Sequence, residues 1–120
     1  MEDLRKQQKE ALLALTEYSP RLITAIRNVA EELNGNRQPD TDEYLHSIVN
    51  GMNWEIEVFN GTRDYINEDR VRIDKDETNA IFLQFNEAYQ AKDDAKMVEL
   101  LSGDIMRFFE ELEAAAKELS

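Results

Sequence analysis

The chain has 120 residues, no cysteine and a formal net charge of −12 at pH 7, which excludes disulfides, thiolate metal sites and cysteine nucleophiles. The negative charge disfavours binding to nucleic acid and to anionic membranes, because both would repel an acidic surface. Only four glycines and two prolines interrupt the sequence, so we expect an all-α fold in one helical-bundle domain, residues 1–120.

The first predicted helix covers residues 2–34 and is kinked at Pro20. Apolar residues keep the helical phase on both sides of this proline, which favours one kinked helix over two helices. In the alternative arrangement, Ser19 would cap a second helix that begins at Pro20. Asn34 and Gly35 provide the left-handed stop that commonly ends a helix.

The second predicted helix, residues 41–67, carries three stripes of different character. Asp40 or Thr41 would cap it, with Glu43 completing an Asp-x-x-Glu capping arrangement. An aliphatic stripe suited to a core comprises Leu45, Ile48, Val49, Met52, Ile56, Phe59 and Ile66. A polar stripe suited to solvent comprises His46, Asn50, Asn53, Glu57, Asn60 and Asp64. Because the third stripe is also largely apolar, we expect this helix to be the central helix of the bundle.

Two further helices are predicted after an extended connector, residues 68–74, whose Val71 and Ile73 should pack onto the bundle. Asp74 would cap a helix over residues 75–91, and Asp93 would cap a helix over residues 94–119. The apolar stripe of this last helix continues through Gly103, which favours an uninterrupted helix. The four main helices, joined by short links, predict an antiparallel up-down bundle.

The third stripe of the second helix is the candidate partner or dimer face. It comprises Tyr44, Gly51, Trp54, Val58, Gly61 and Tyr65. Aromatic residues at helical spacing are typical of a core, whereas large rings beside bare glycines are also typical of an interface. Leucines in the first half of the first helix, including Leu4, Leu12 and Leu15, would also need a cover. A second copy of the chain is the simplest partner that could bury both the third stripe and these leucines.

A weaker candidate site surrounds the single histidine. Glu43 and His46 form a Glu-x-x-His pair, one half of the di-metal sites found in some four-helix bundles, but a second pair would need a second histidine. Phosphotransfer by an exposed histidine is the other possibility, although histidine phosphotransfer domains place a lysine three residues later, where this chain has Val49. Glu43, His46 and Asn50 therefore form the alternative site, and we expect no catalytic, cofactor-binding or metal site.

Taken together, these patterns predict a non-enzymatic protein that acts by protein–protein association as a homodimer. No apolar run has the roughly 20 residues of a membrane span, and the charged N-terminus lacks the apolar core of a secretory signal, so we expect a cytoplasmic location. Residues 39–120 carry twenty acidic and eight basic residues. An acidic adaptor or chaperone that binds a basic partner is therefore an alternative function, beside chemistry at the surface histidine.

Overall fold

Helices form nearly all of the chain in the computed structural model, which describes residues 2–120. They are α1 (Glu2–Leu33), α2 (Thr41–Ile66), α3 (Lys75–Ala91), α4 (Asp94–Ser102) and α5 (Asp104–Leu119). No strand occurs within the described residues. The predicted all-α bundle of four main helices is confirmed, with α4 and α5 together occupying the place of the fourth.

The ends of the helices are set largely by the local signals in the sequence. Gly35 adopts a left-handed conformation, φ +87°, directly after α1, as a glycine stop requires. The Asp74 side chain accepts a hydrogen bond from the Glu77 amide (2.9 Å), and the Asp93 side chain accepts one from the Lys96 amide (3.1 Å). These two predicted caps are therefore confirmed.

α2 begins at Thr41 as predicted, but neither Asp40 nor Thr41 provides the predicted cap, since no side-chain capping hydrogen bond is made. The hydroxyl of buried Thr41 instead bonds to groups outside α2. It accepts a hydrogen bond from the Gln38 amide (2.7 Å) and donates one to Glu32 Oε1 near the end of α1 (2.8 Å). A contact to α1 thus anchors the start of α2 in place of a side-chain cap, and no pattern local to residues 40–43 indicates that contact.

The central helix of the bundle is α1, and the prediction that α2 is central is wrong. α1 runs unbroken through Pro20 and packs against α2, α4 and α5, whereas α2 packs on α1 and more lightly on α5. The pair α1 and α2 is antiparallel, since Gln8 hydrogen-bonds to Gly61 at one end and Glu32 to Thr41 at the other. Leu12 and Leu15 are fully buried within the chain, so of the three leucines thought to need an external cover only Leu4 remains exposed.

The last predicted helix is interrupted at Gly103, contrary to the expectation that it continues. The backbone of Gly103 (φ −115°, ψ −105°) leaves the helical region, and α5 starts at Asp104. Leu101 and Ile105, on either side of the break, are both fully buried. The apolar stripe therefore continues while the helix does not, which is why the stripe alone predicted one helix.

The connector between α2 and α3 is organised by Asn67. Its side chain accepts hydrogen bonds from the Arg72 amide (2.9 Å) and the Ile73 amide (3.2 Å), and it donates one to the Ile73 carbonyl (3.1 Å). Ile73 is buried as predicted, but Val71 is 72% exposed and does not pack onto the bundle. The Arg72 side chain then ties the connector to Glu118 at the end of α5.

Candidate association site

A groove with almost no charge runs along the outer side of the α1–α2 pair. It consists of two shallow depressions, lined mainly by apolar, amide and glycine residues, that share Trp54. Its lining residues are Leu4, Gln7, Gln8, Ala11 and Tyr18 of α1, and Ser47, Asn50, Gly51, Trp54, Glu57, Val58, Gly61 and Thr62 of α2. Among these described residues only Glu57 carries a charge, in a chain in which 33% of residues do. We call this surface the α1–α2 groove.

The middle of the groove is formed by two aromatic rings from opposite helices. Tyr18 of α1 and Trp54 of α2 meet edge to face, with ring centroids 5.6 Å apart, a favourable geometry for aromatic pairs. Gly51 makes this contact possible, because a methyl group at position 51 would overlap the Tyr18 hydroxyl and lie 3.3 Å from Leu22 Cδ1. Trp54 nevertheless stays 39% exposed, so its indole is packed on one side and open on the other.

Gly61 exposes its backbone two helical turns beyond Trp54. A methyl group there would have no atom within 4 Å, so no packing within the chain requires glycine at this position. The Gly61 carbonyl accepts a hydrogen bond from Gln8 Nε2 (3.2 Å), which joins the two walls of the groove. Glycine weakens a helix interior by about 1 kcal/mol relative to alanine, and among the described residues no contact offsets this cost at Gly61.

The predicted partner face is divided by the fold. Trp54, Val58 and Gly61 line the open groove, and Gly51 lies beneath Tyr18. Tyr65 instead faces the bundle, since its hydroxyl donates to the Leu119 carbonyl (2.9 Å). The Arg5 guanidinium also lies 4.0 Å from the centre of the Tyr65 ring.

Tyr44, the remaining member of the predicted face, is half-buried against the core. Packing within the bundle therefore accounts for the position of Tyr65 and for the buried half of Tyr44. The groove also includes α1 residues, such as Tyr18, that the sequence did not single out. Their contribution depends on how α1 and α2 pair, which the stripe on α2 alone cannot reveal.

The sequence analysis did not identify Glu55 as a buried residue. Glu55 follows Trp54 on α2, but its carboxyl group faces the core of the bundle. Glu55 and Ser19 are both 0% exposed, and Ser19 Oγ is 3.0 Å from Glu55 Oε1 and 3.1 Å from Oε2. Burial raises the pKa of Glu55 to about 7; the Ser19 hydroxyl opposes the increase and the nearby Glu113 carboxylate adds to it. A signal was available, because Glu55 has the helical phase of buried Ile48, Met52 and Phe59.

Comparison with known protein families gives one match, to a domain of unknown function, DUF8042, over residues 10–115. The chain belongs to this family. The match covers all five helices in whole or in part, including both walls of the α1–α2 groove apart from the first turns of α1. No curated protein and no solved structure is significantly similar to the chain.

The alternative site of this DUF8042 chain overlaps the groove at Asn50, whereas Glu43 and His46 are not among the residues that line the groove. Glu43, His46 and Asn50 are all exposed on α2, and His46 Nδ1 is 3.4 Å from the Tyr89 hydroxyl of α3. Across the described residues, no three His, Asp or Glu side chains are placed to hold a metal ion. Helices of the described chain are also too short or too polar to cross a membrane.

Proposed function

We propose that the chain acts by protein–protein association and binds a second copy of itself through the α1–α2 groove. The observation that carries this proposal is the combination of a half-exposed Trp54 with a glycine-containing surface that has a single charged residue, Glu57, on a chain of charge −12. Interface cores are depleted of charged residues and enriched in Tyr and Trp relative to other protein surfaces. Trp and Tyr are also the residues that most often dominate binding energy.

A second copy fits the groove better than a basic partner does. Two copies of a strongly acidic chain repel each other wherever their charged faces meet, so they can approach most closely at a face with one charge per copy, such as the groove with its Glu57. A basic partner would instead be drawn to the acidic residues that lie outside the groove. The charge distribution therefore favours self-association at this surface.

The spacing of Trp54 and Gly61 supports a two-fold arrangement. They are seven residues apart, which is close to two turns or about 10 Å of helix. A two-fold axis near Val58 would place each Trp54 opposite the partner's Gly61, so that each indole fills the space beside a bare backbone. Such a contact is self-complementary, as a two-fold interface must be.

Two variants test this proposal, with one matched control. Gly61→Ala should keep the bundle folded and strengthen α2 by about 1 kcal/mol, yet prevent the close approach of the partner's indole. Trp54→Ala should weaken the dimer by about 2 kcal/mol or more, as removal of an interface anchor does. Leu83→Ala removes an exposed side chain of α3, outside the groove, and should leave association unchanged.

The measurement is sedimentation equilibrium across a dilution series, with circular dichroism to confirm helix content. A native chain that is monomeric at the highest concentration would overturn the proposal. Equal association of Gly61→Ala and the native chain would show that the groove is not the interface. Association lost only on Leu83→Ala would transfer the interface to α3.

A further inference from the structure

The Ser19–Glu55 pair and the Tyr18–Trp54 pair lie at one level of the α1–α2 contact. Tyr18 and Ser19 are consecutive on α1, and Trp54 and Glu55 are consecutive on α2. Because consecutive residues of a helix point about 100° apart, one member of each couple faces the core and the other faces the groove. The inner pair is hydrogen-bonded at 3.0 Å and the outer pair is in ring contact at 5.6 Å. A change in the distance between α1 and α2 at these residues must therefore alter both the Ser19–Glu55 hydrogen bond and the Tyr18–Trp54 ring contact.

The surroundings of Glu55 suit a neutral carboxyl group and not a carboxylate. α2 packs against α1 and α5; α1 supplies the Ser19 hydroxyl, and α5 supplies the acidic Glu113. Lys117 of α5 pairs with Glu113 at 3.7 Å. None of the ion pairs in the described part of the chain includes Glu55.

Protonation decides whether the hydrogen-bonding needs of this pair can be met. A protonated carboxyl and a hydroxyl can each donate and accept, so both are satisfied without water. An ionised carboxylate has about four acceptor positions and no donor, and a single hydroxyl cannot fill them. Buried polar groups without partners are costly, so ionisation favours opening of the α1–α2 contact and entry of water.

The backbone hydrogen bonding of α1 is also interrupted next to Ser19. Pro20 follows Ser19 and has no backbone N–H, so the hydrogen bond that residue 20 would donate to the preceding turn is absent. The helix remains continuous there, but with less resistance to a change in curvature. The place where α1 can bend most easily thus coincides with the place where a charge would appear.

We propose that Glu55 and Ser19 form a proton-operated latch between α1 and α2 that controls the geometry of the α1–α2 groove. With Glu55 protonated the latch is closed and Tyr18 and Trp54 hold the observed edge-to-face contact. With Glu55 ionised the helices separate at this level and the aromatic pair loosens. The effect on self-association, and only that effect, rests on the function proposed above: dimerisation should weaken as Glu55 loses its proton.

Trp54 is the chain's single tryptophan, so its fluorescence reports on the latch in the monomer. At a protein concentration too low for association, the emission should shift to the red as pH rises, with a midpoint near the Glu55 pKa of about 7. Glu55→Gln preserves shape and cannot ionise, so this variant should show the closed spectrum throughout. His46→Gln is the matched control, because it replaces the chain's single histidine and leaves the Ser19–Glu55 pair intact, and it should retain the transition.

Ser19→Ala distinguishes a latch from a merely structural contact. In the closed state the Ser19 hydroxyl is hydrogen-bonded to Glu55, whereas in the open state it no longer contacts the ionised carboxylate, so its removal should destabilise the closed state and move the fluorescence midpoint to lower pH. In a rigid contact that never opens, the same hydroxyl would favour the charged form of Glu55, and its removal would move the midpoint to higher pH. An identical transition in native protein and in Glu55→Gln would overturn the latch, as would a transition abolished by His46→Gln. An unchanged or higher midpoint in Ser19→Ala would also contradict it.

Association measured at about pH 6 and about pH 8, on either side of the transition, completes the test. The dissociation constant of the native dimer should rise between these values by more than that of Glu55→Gln. Equal pH dependence in the two proteins would contradict the latch and leave self-association standing. A monomer at both pH values would remove the proposed function, while the fluorescence titration would still decide whether the latch exists.

Discussion

Glu55 makes the stability of the fold depend on pH in an unusual direction. Its pKa is raised from 4.5 to about 7, so the folded state binds this proton more tightly than the unfolded state does. The stabilisation is therefore complete below about pH 4.5, is lost as pH rises to about 7, and changes little beyond that. A shift of this size corresponds to about 3 kcal/mol.

Glu55→Gln should consequently stabilise the protein at alkaline pH and have little effect at acidic pH. We expect a gain of up to about 3 kcal/mol at pH 8 that fades towards pH 4.5, measured by urea unfolding across this range. Glu87→Gln, at an exposed position of α3 outside the groove, should show no such pH-dependent difference. A Glu55→Gln variant that is less stable than the native chain at pH 8 would contradict the burial argument.

Gly51 supports the groove through the space it leaves for Tyr18. In Gly51→Ala, the new methyl group would overlap the Tyr18 hydroxyl, so the tyrosine must move and the Tyr18–Trp54 contact must break. We expect redder Trp54 emission and no net gain in stability, because the loss of packing offsets the roughly 1 kcal/mol of helix propensity. A blue-shifted or unchanged spectrum would show that Tyr18 does not depend on this gap.

At the level of elements, the sequence predicted what depends on neighbours in the chain and failed where distant contacts decide. The Asp74 and Asp93 caps and the Gly35 stop each depend on a few consecutive residues, and all three are confirmed. The start of α2 at Thr41 was also predicted correctly, but its predicted side-chain cap was wrong, because the Thr41 hydroxyl bonds to Glu32 of α1 instead. The same reason explains why α2 was taken for the central helix and why the α1 wall of the groove was not foreseen.

The connector that follows α2 depends on one amide side chain. Asn67→Ala removes three hydrogen bonds to Arg72 and Ile73, and each is worth about 1 kcal/mol or less after exchange with water. We expect a loss of about 2 kcal/mol and faster hydrogen exchange over residues 68–74. Asn60→Ala, at an exposed position of the same helix, should change neither. Equal effects of the two variants would show that Asn67 does not organise the connector.

For the whole molecule, salt separates self-association from binding of a basic partner. Two acidic copies repel each other outside the groove, so raising the salt from about 0.05 M to about 0.5 M should strengthen the dimer by screening. A complex with a basic partner should weaken over the same range. A dilution series at both salt concentrations measures the sign, and a dimer that dissociates in high salt would point to charge pairs in place of an apolar contact.

The position of α1 has a consequence for how the protein is made. α1 leaves the ribosome before the other helices, but its buried face is completed by α4 and α5, which are synthesised much later. Until they emerge, a nascent chain can form only the α1–α2 hairpin, with much of its apolar side unprotected. Premature termination before α4 should therefore yield an aggregation-prone fragment, one that cellular chaperones and proteases would recognise.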